Sequence, residues 1–225
     1  MIRNLGGTIL LMVLGFWGRL AYAQTDSSRI NVKFSLQHLL INGLHVDIEK
    51  PHKQNKRRSL IFSPRFYSGR TRTVDFLSGR HQEDEDNAQV LGYGVEIGQR
   101  WYVSKNTDIT KERTYVAYGL NLHHFAVDFE REAWAEEMAD DGLRYYRYSM
   151  RPYRGKITRW GAVAMFGAQN PLIGDKTLWD IYIGAGYYNS RNQSNYNFIR
   201  YNESIFDFGY TGLYFLAGIK LGVVL

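Results

Sequence analysis

The last seventeen residues, Gly209 to Leu225, alternate so regularly that few folds can accommodate them. Every second position carries Thr211, Leu213, Phe215, Ala217, Ile219, Leu221, Val223 and Leu225. The interleaved positions carry Tyr210, Gly212, Tyr214, Leu216, Gly218, Lys220, Gly222 and Val224. Successive strand side chains point to opposite faces, so the first set forms an apolar stripe and the second a mostly small or polar one. Exposed in water, such an edge invites aggregation, whereas a closed barrel in a bilayer needs the stripe on its lipid side.

The same test recurs upstream. Leu178–Tyr188 sets Trp179, Ile181, Ile183, Ala185 and Tyr187 against Asp180, Tyr182, Gly184 and Gly186. Val90–Val103 sets Leu91, Tyr93, Val95, Ile97, Trp101 and Val103 against Gly92, Gly94, Glu96, Gly98 and Arg100, with Gln99 alone out of pattern. Ser59–Phe66, Leu44–Glu49 and Ile30–Gln37 alternate likewise, and Lys156–Ala168 does so less cleanly. In Thr114–Phe129 the apolar parity switches at His123-His124. Two readings of the switch stay open: a one-residue bulge, or a strand leaving the membrane at that point. The count reaches eight strands if Ile30–Leu40 is the first, with Asn42-Gly43 beyond it as a tight-hairpin signal. Residues 37–42 read equally as a non-strand entry segment.

Connection lengths alternate too. Lys50–Arg58, Ser104–Arg113 and Gln169–Thr177 are short, while Tyr67–Gln89, Glu130–Gly155 and Asn189–Phe208 are long. Short turns on one side and long loops on the other match a bacterial outer-membrane barrel. At the N-terminus, Arg3, the apolar run Gly6–Phe16 and Ala21-Tyr22-Ala23 predict a signal peptide over residues 1–23, too short to span a bilayer. Its removal takes away Arg3 and Arg19 and no acid, lowering the formal charge from +6 to +4 and leaving residues 24–225 as one domain. There is no cysteine, so neither disulfides nor thiolate chemistry are available.

With its aromatic-glycine dipeptides (Gly92-Tyr93-Gly94, Tyr118-Gly119, Gly184-Ala185-Gly186-Tyr187), the mature chain resembles the small OmpA/OmpX-type eight-stranded outer-membrane β-barrels, in the style of Bacteroidota barrel proteins. The fold class expected is all-β: a closed antiparallel transmembrane barrel of about eight strands with long extracellular loops, located in the outer membrane.

Eight strands enclose room for side chains only, so a solute pore is excluded. The inward set contains Lys33, Arg65, Arg100, Arg159 and Lys220 opposite Asp47, Glu49, Glu96 and Asp180. Such charges are tolerated in a low-dielectric wall when paired and hydrogen-bonded, so they are expected to form a lumenal charge network. The histidines (His38, His45, His52, His81, His123 and His124) show no repeated ligand spacing, and no metal or cofactor is expected. A lipid A-modifying outer-membrane enzyme is the rival reading, with His123, His124, Asp128 and Glu130 as its candidates, yet no serine accompanies them. A soluble lipocalin-like carrier is the third, and would require apolar residues inside.

The loops supply the remaining chemistry. Glu83-Asp84-Glu85-Asp86 is an acidic run, and Glu130–Asp141 reads as an acidic helix with Trp134 and Met138 at i, i+4 and Gly142 at its end. The segment Tyr187–Tyr201 is rich in Tyr, Asn, Ser and Arg, as recognition loops are. The expected partners are outer-membrane lipid and lipopolysaccharide, and an envelope complex or surface ligand at loops 67–89, 130–155 and 189–208. Nucleic acid is no partner for an exported chain.

Overall fold

Eight strands, each alternating between an inward and an outward face, pair in chain order and close in a ring in the computed structural model of the chain. The structure describes residues 29–71, 88–104, 111–139, 142–173, 176–194, 202 and 204–225. The signal-peptide expectation (residues 1–23), His81 and the acidic run at 83–86 fall outside them. The strands are β1 (Asn31–Ser35), β2 (Gly43–Pro51), β3 (Arg58–Arg70), β4 (Gln89–Tyr102), β5 (Arg113–Met138), β6 (Arg144–Pro171), β7 (Thr177–Ser194) and β8 (Gly212–Val224), and the last pairs antiparallel with the first.

The register fixes the shape. Asn31 pairs directly with Val224 on β8. Followed the other way round through Glu49, Ile61, Gly98, Gly119, Val163 and Gly186, it reaches β8 at Tyr214, ten positions earlier. A stagger of that size in eight strands sets a tilt of about 40° and leaves an interior wide enough for side chains and at most one small ligand. Both described chain ends, the connection 52–57 and the strand ends Tyr102, Arg113, Pro171 and Thr177 lie at one end, the turn end; the strand ends Arg70, Gln89, Met138, Arg144, Ser194 and Gly212 lie at the other, the hairpin end.

Three expectations are corrected. The parity switch at His123-His124 is not a bulge: β5 pairs without interruption with β4 and with β6, and His123, Phe125, Val127 and Phe129 all face inward. The apolar parity changes because the interior itself becomes apolar toward the hairpin end, where these side chains pack with Tyr67, Val90, Ile157 and Phe208. Each such burial contributes about 1.5–3 kcal/mol.

The segment 130–155 is neither a loop nor a helix. β5 and β6 continue through it as a two-stranded ribbon that ends at Met138 paired with Arg144. β4 accompanies β5 only as far as Asp128, and β7 accompanies β6 only from Gly155, so the ribbon stands beyond the ring. Trp134 packs on Tyr148 across the ribbon, with ring centroids 5.3 Å apart, instead of on Met138 one helical turn away. Gly142, at φ 77°, closes the turn, donating its N–H to the Ala139 carbonyl at 2.9 Å. The segment 189–208 likewise begins as strand, since β7 runs to Ser194.

The first strand is only five residues long. A 3-10 helix, Leu36–Ile41, replaces its upper half, so Asn42-Gly43 does not form a tight hairpin. Asn42 adopts a left-handed conformation at the helix end, as its short polar side chain allows, and accepts a hydrogen bond from Ser68 N–H at 2.9 Å. Gly43 follows because an added Cβ there would meet the Tyr67 ring at 2.9 Å. The out-of-pattern Gln99 is satisfied on the outer face by its cross-strand neighbour Tyr118, whose hydroxyl donates to Gln99 Oε1 at 2.6 Å.

Candidate functional site

The interior is layered. At the turn end, the Lys33 ammonium donates to Glu49 Oε2 at 2.7 Å, to Asp180 Oδ2 at 2.8 Å and to Gln169 Oε1 at 2.9 Å. Arg100 Nη1 reaches the same two carboxylates, at 3.2 Å and 2.9 Å. Tyr102 and Ser59 donate to Glu49, and Tyr115 donates to Asp180. Arg100 lies 3.7 Å above the Tyr115 ring and Arg113 lies 3.6 Å above Tyr102, so aromatic faces supplement the carboxylates. In the next layer Lys220 pairs with Asp47, which also accepts from Ser63 Oγ at 2.7 Å. Above it Arg65 pairs with Glu96, and its Nη1 lies 3.1 Å from His123 Nε2.

All nine residues of the inward charged set therefore face the interior, and eight of them are tied in ion pairs. Arg159 differs. Among the described residues its polar partner is the backbone carbonyl of Asp207, which accepts from Nη1 at 3.2 Å, with the Tyr188 ring 4.2 Å from the guanidinium carbon. Sequence reasoning did not single out Arg113, Tyr102, Tyr115 and Gln169 as members of the network. Extending the inward parity of β4, β5 and β6 to the strand ends would have found them.

Between the ion layers and the apolar cap lies a cavity of about 390 Å³. Its walls include Asp47, Arg65, Glu96, Arg159 and Lys220. On one side it reaches the outer surface, because β1 covers β8 only over residues 220–224. The upper half of β8 faces the 3-10 helix instead, and Leu40, Ile205, Phe206, Phe215 and Ala217 form the lips of this opening.

The described histidines make no common centre. The His38 and His45 rings stack with centroids 3.6 Å apart, and His45 Nε2 is hydrogen-bonded to the Tyr67 hydroxyl at 2.8 Å. His123 faces inward beside Arg65, whereas His124 faces outward with Nδ1 3.1 Å from Thr158 Oγ1. An unbroken strand puts neighbouring side chains on opposite faces, so His123 and His124 cannot act on one substrate atom. Among the described residues no group of three or more His, Asp or Glu side chains is placed to hold a metal ion.

The ribbon beyond the ring has two unlike faces. Continuing the outward parity are Glu130, Glu132, Trp134, Glu136 and Met138, opposite Met150, Tyr148 and Tyr146; continuing the inward parity are Arg131, Arg147 and Arg151. Glu137 lies among these arginines and pairs with Arg147 at 3.7 Å and with Arg151. No protein-family model and no curated protein matches the chain.

Proposed function

We propose that this chain is an integral outer-membrane β-barrel protein of a Gram-negative bacterium, exported by the segment ending at Ala23. It acts without catalysis, as a structural, surface-binding or accessory protein, through the segments at its hairpin end. The observation that supports this reading is an inverted distribution of polarity. Leu91, Leu120 and Phe215 point away from the ring and are 67%, 70% and 80% exposed, while Lys33, Arg100 and Asp180 are buried inside it. Soluble monomers rarely expose apolar patches beyond a few hundred Å², and here exposed apolar residues lie on every strand from β2 to β8. On β5 the outward band from Val116 to Ala126 rises about 25 Å along the axis at a tilt near 40°, the height of an outer-membrane barrel's lipid belt. A lipocalin-like carrier needs the opposite arrangement. A lipid A-modifying enzyme needs a His-carboxylate-hydroxyl cluster at the lipid interface, and the separation of His123 from His124 across the wall argues against one.

Outer-membrane lipid and lipopolysaccharide would contact the band. A surface ligand or envelope complex would meet the ribbon, whose aromatic-acidic and basic faces offer two chemistries. The test is cell fractionation, with gel migration before and after heating and protease added to intact cells. Faster migration of the unheated protein from the outer-membrane fraction, with cleavage between residues 71 and 88 and none at the basic turn 52–57, is the expected result. Recovery from the soluble periplasmic fraction, with no heat-dependent shift, would overturn the reading.

A further inference from the structure

Arg159 is 7% exposed, and among the described residues no carboxylate lies within ion-pair distance of it. Its Nε is buried without a hydrogen-bond acceptor, and so is the Nε of Arg65. A buried cation left unpaired is costly, so this arrangement lacks an anion. The register explains why both guanidinium groups serve one space. Arg65 pairs with Gly94, Gly94 with His123 and His123 with Arg159, so the four positions form one row around the wall. Gly94 adds no side chain to that row, and a Cβ there would meet the His123 ring at 2.4 Å. Both arginines line the 390 Å³ cavity, within the size range of small-molecule sites.

The route into this cavity is of a different character. Its lips carry Leu40, Phe206 and Phe215, all exposed and apolar, and Leu36 and Leu39 extend the apolar surface along the 3-10 helix. The opening leads sideways through the wall, where the short β1 leaves the upper half of β8 paired with β7 alone. A ligand suited to both parts is charged at one end and apolar along the other.

We propose that the cavity binds one single-chain amphiphile with an anionic headgroup, held by Arg159 and Arg65, while its acyl chain leaves between the 3-10 helix and β8. Free fatty acid and the phosphate of a lysophospholipid share this chemistry. The headgroup site stands on the buried arginines alone; the sideways path of the chain rests on the membrane reading.

The experiment is native mass spectrometry of the full chain folded in an uncharged detergent, stripped of lipid and offered palmitate, palmitoyl lysophosphatidylglycerol or hexadecanol. One palmitate or one lysophosphatidylglycerol is expected to remain bound per chain, the tighter of the two identifying the natural headgroup, with hexadecanol retained about tenfold less or worse. Arg159→Gln is expected to lose the anionic ligands by a similar factor. Equal retention of hexadecanol by the unmodified protein overturns the proposal without recourse to any variant. Equal retention of palmitate by Arg159→Gln, checked for a normal heat-dependent gel shift, overturns it as well. Should the protein prove water-soluble without detergent, the membrane reading fails, yet the preference for anion over alcohol still decides the headgroup site.

Discussion

Lys33 and Asp180 meet at 2.8 Å across 147 residues of sequence, and both are fully buried. Lys33 belongs to the five-residue β1 and Asp180 to β7, so the contact ties the shortest strand to the wall beyond its neighbour β8. Hydrogen bonds from β1 to β2 and β8 alone hold little against fraying at a strand of this length. The ion pair adds an anchor inside the ring.

Replacing Lys33 by Met leaves Glu49 and Asp180 to share Arg100 as their ionic partner. Removing one member of a buried charge cluster costs about 3–5 kcal/mol because the remaining charges stay buried. The temperature at which the fast-migrating folded band disappears is therefore expected to fall substantially in Lys33→Met. An unchanged temperature would mean that the network does not anchor β1.

Two glycines on β6 make a second prediction by contrast. A Cβ at Gly161 would lie 2.3 Å from the Tyr187 carbonyl oxygen and 2.6 Å from the Tyr188 ring, whereas at Gly155 the nearest atom is the Val127 carbonyl at 3.9 Å. Gly161→Ala is expected to cost about 1–3 kcal/mol through overpacking against backbone that cannot yield. Gly155→Ala is expected to be neutral or to stabilise by up to about 1 kcal/mol by restricting the unfolded chain. Unfolding of both variants in urea in the presence of lipid vesicles reads the difference, and similar midpoints would show that Gly161 is not closely packed.

The strands were legible because each position on a strand of a closed ring has one face toward the interior and one away from it, and a charge such as Lys33 or Asp180 is tolerated on only one of them. The positions of the nine inward charges followed from that parity alone. Their pairings did not, since Lys220 with Asp47 or Arg65 with Glu96 depends on the stagger of the ring, which alternation does not encode. The reading lost its footing at Phe125, Val127 and Phe129, where apolar no longer meant outward because the interior cap is itself apolar. It failed again at Trp134 and Met138, whose i, i+4 spacing mimics a helix; the opposing run Arg144–Pro152 supplies cross-strand partners that a local pattern cannot foresee. The cavity was hidden for a related reason, since nothing local to Leu36–Ile41 announces that β1 stops early.

At the root of the ribbon, outside the apolar band, Asp128 and Arg154 form a two-point ion pair, Nε to Oδ1 at 2.5 Å and Nη2 to Oδ2 at 2.7 Å. The Arg154 hydrogen bonds hold the Asp128 carboxyl below its usual range. A carboxylate depressed in the folded state contributes stability above its unfolded pKa, about 3.9, and loses it as pH falls through the lower folded value. Amide exchange in the ribbon, corrected for its intrinsic pH dependence, is therefore expected to be level from pH 7 to about 5 and to accelerate below about pH 4. Both partners are solvent-exposed, so the acceleration is modest, less than about fivefold. Asp128→Asn should abolish the dependence, and a variant that keeps it would assign the effect to another carboxylate.

The ribbon makes the last prediction because it separates surface from scaffold. Beyond Asp128 and Gly155 no strand among the described residues flanks it, and an isolated two-stranded hairpin is marginal in water. The Trp134–Tyr148 contact is one of the cross-strand contacts that hold its distal half together, beside the Glu137 ion pairs. A cross-strand aromatic pair is worth about 0.5–1 kcal/mol, enough to matter for a ribbon and negligible for the ring. Trp134→Ala is expected to leave the heat-dependent gel shift unchanged while cleavage after Arg144 and Arg147 speeds up several-fold. Loss of the gel shift in Trp134→Ala would show that ribbon and ring form one cooperative unit. Unchanged cleavage would show that cross-strand contacts other than Trp134 hold the ribbon.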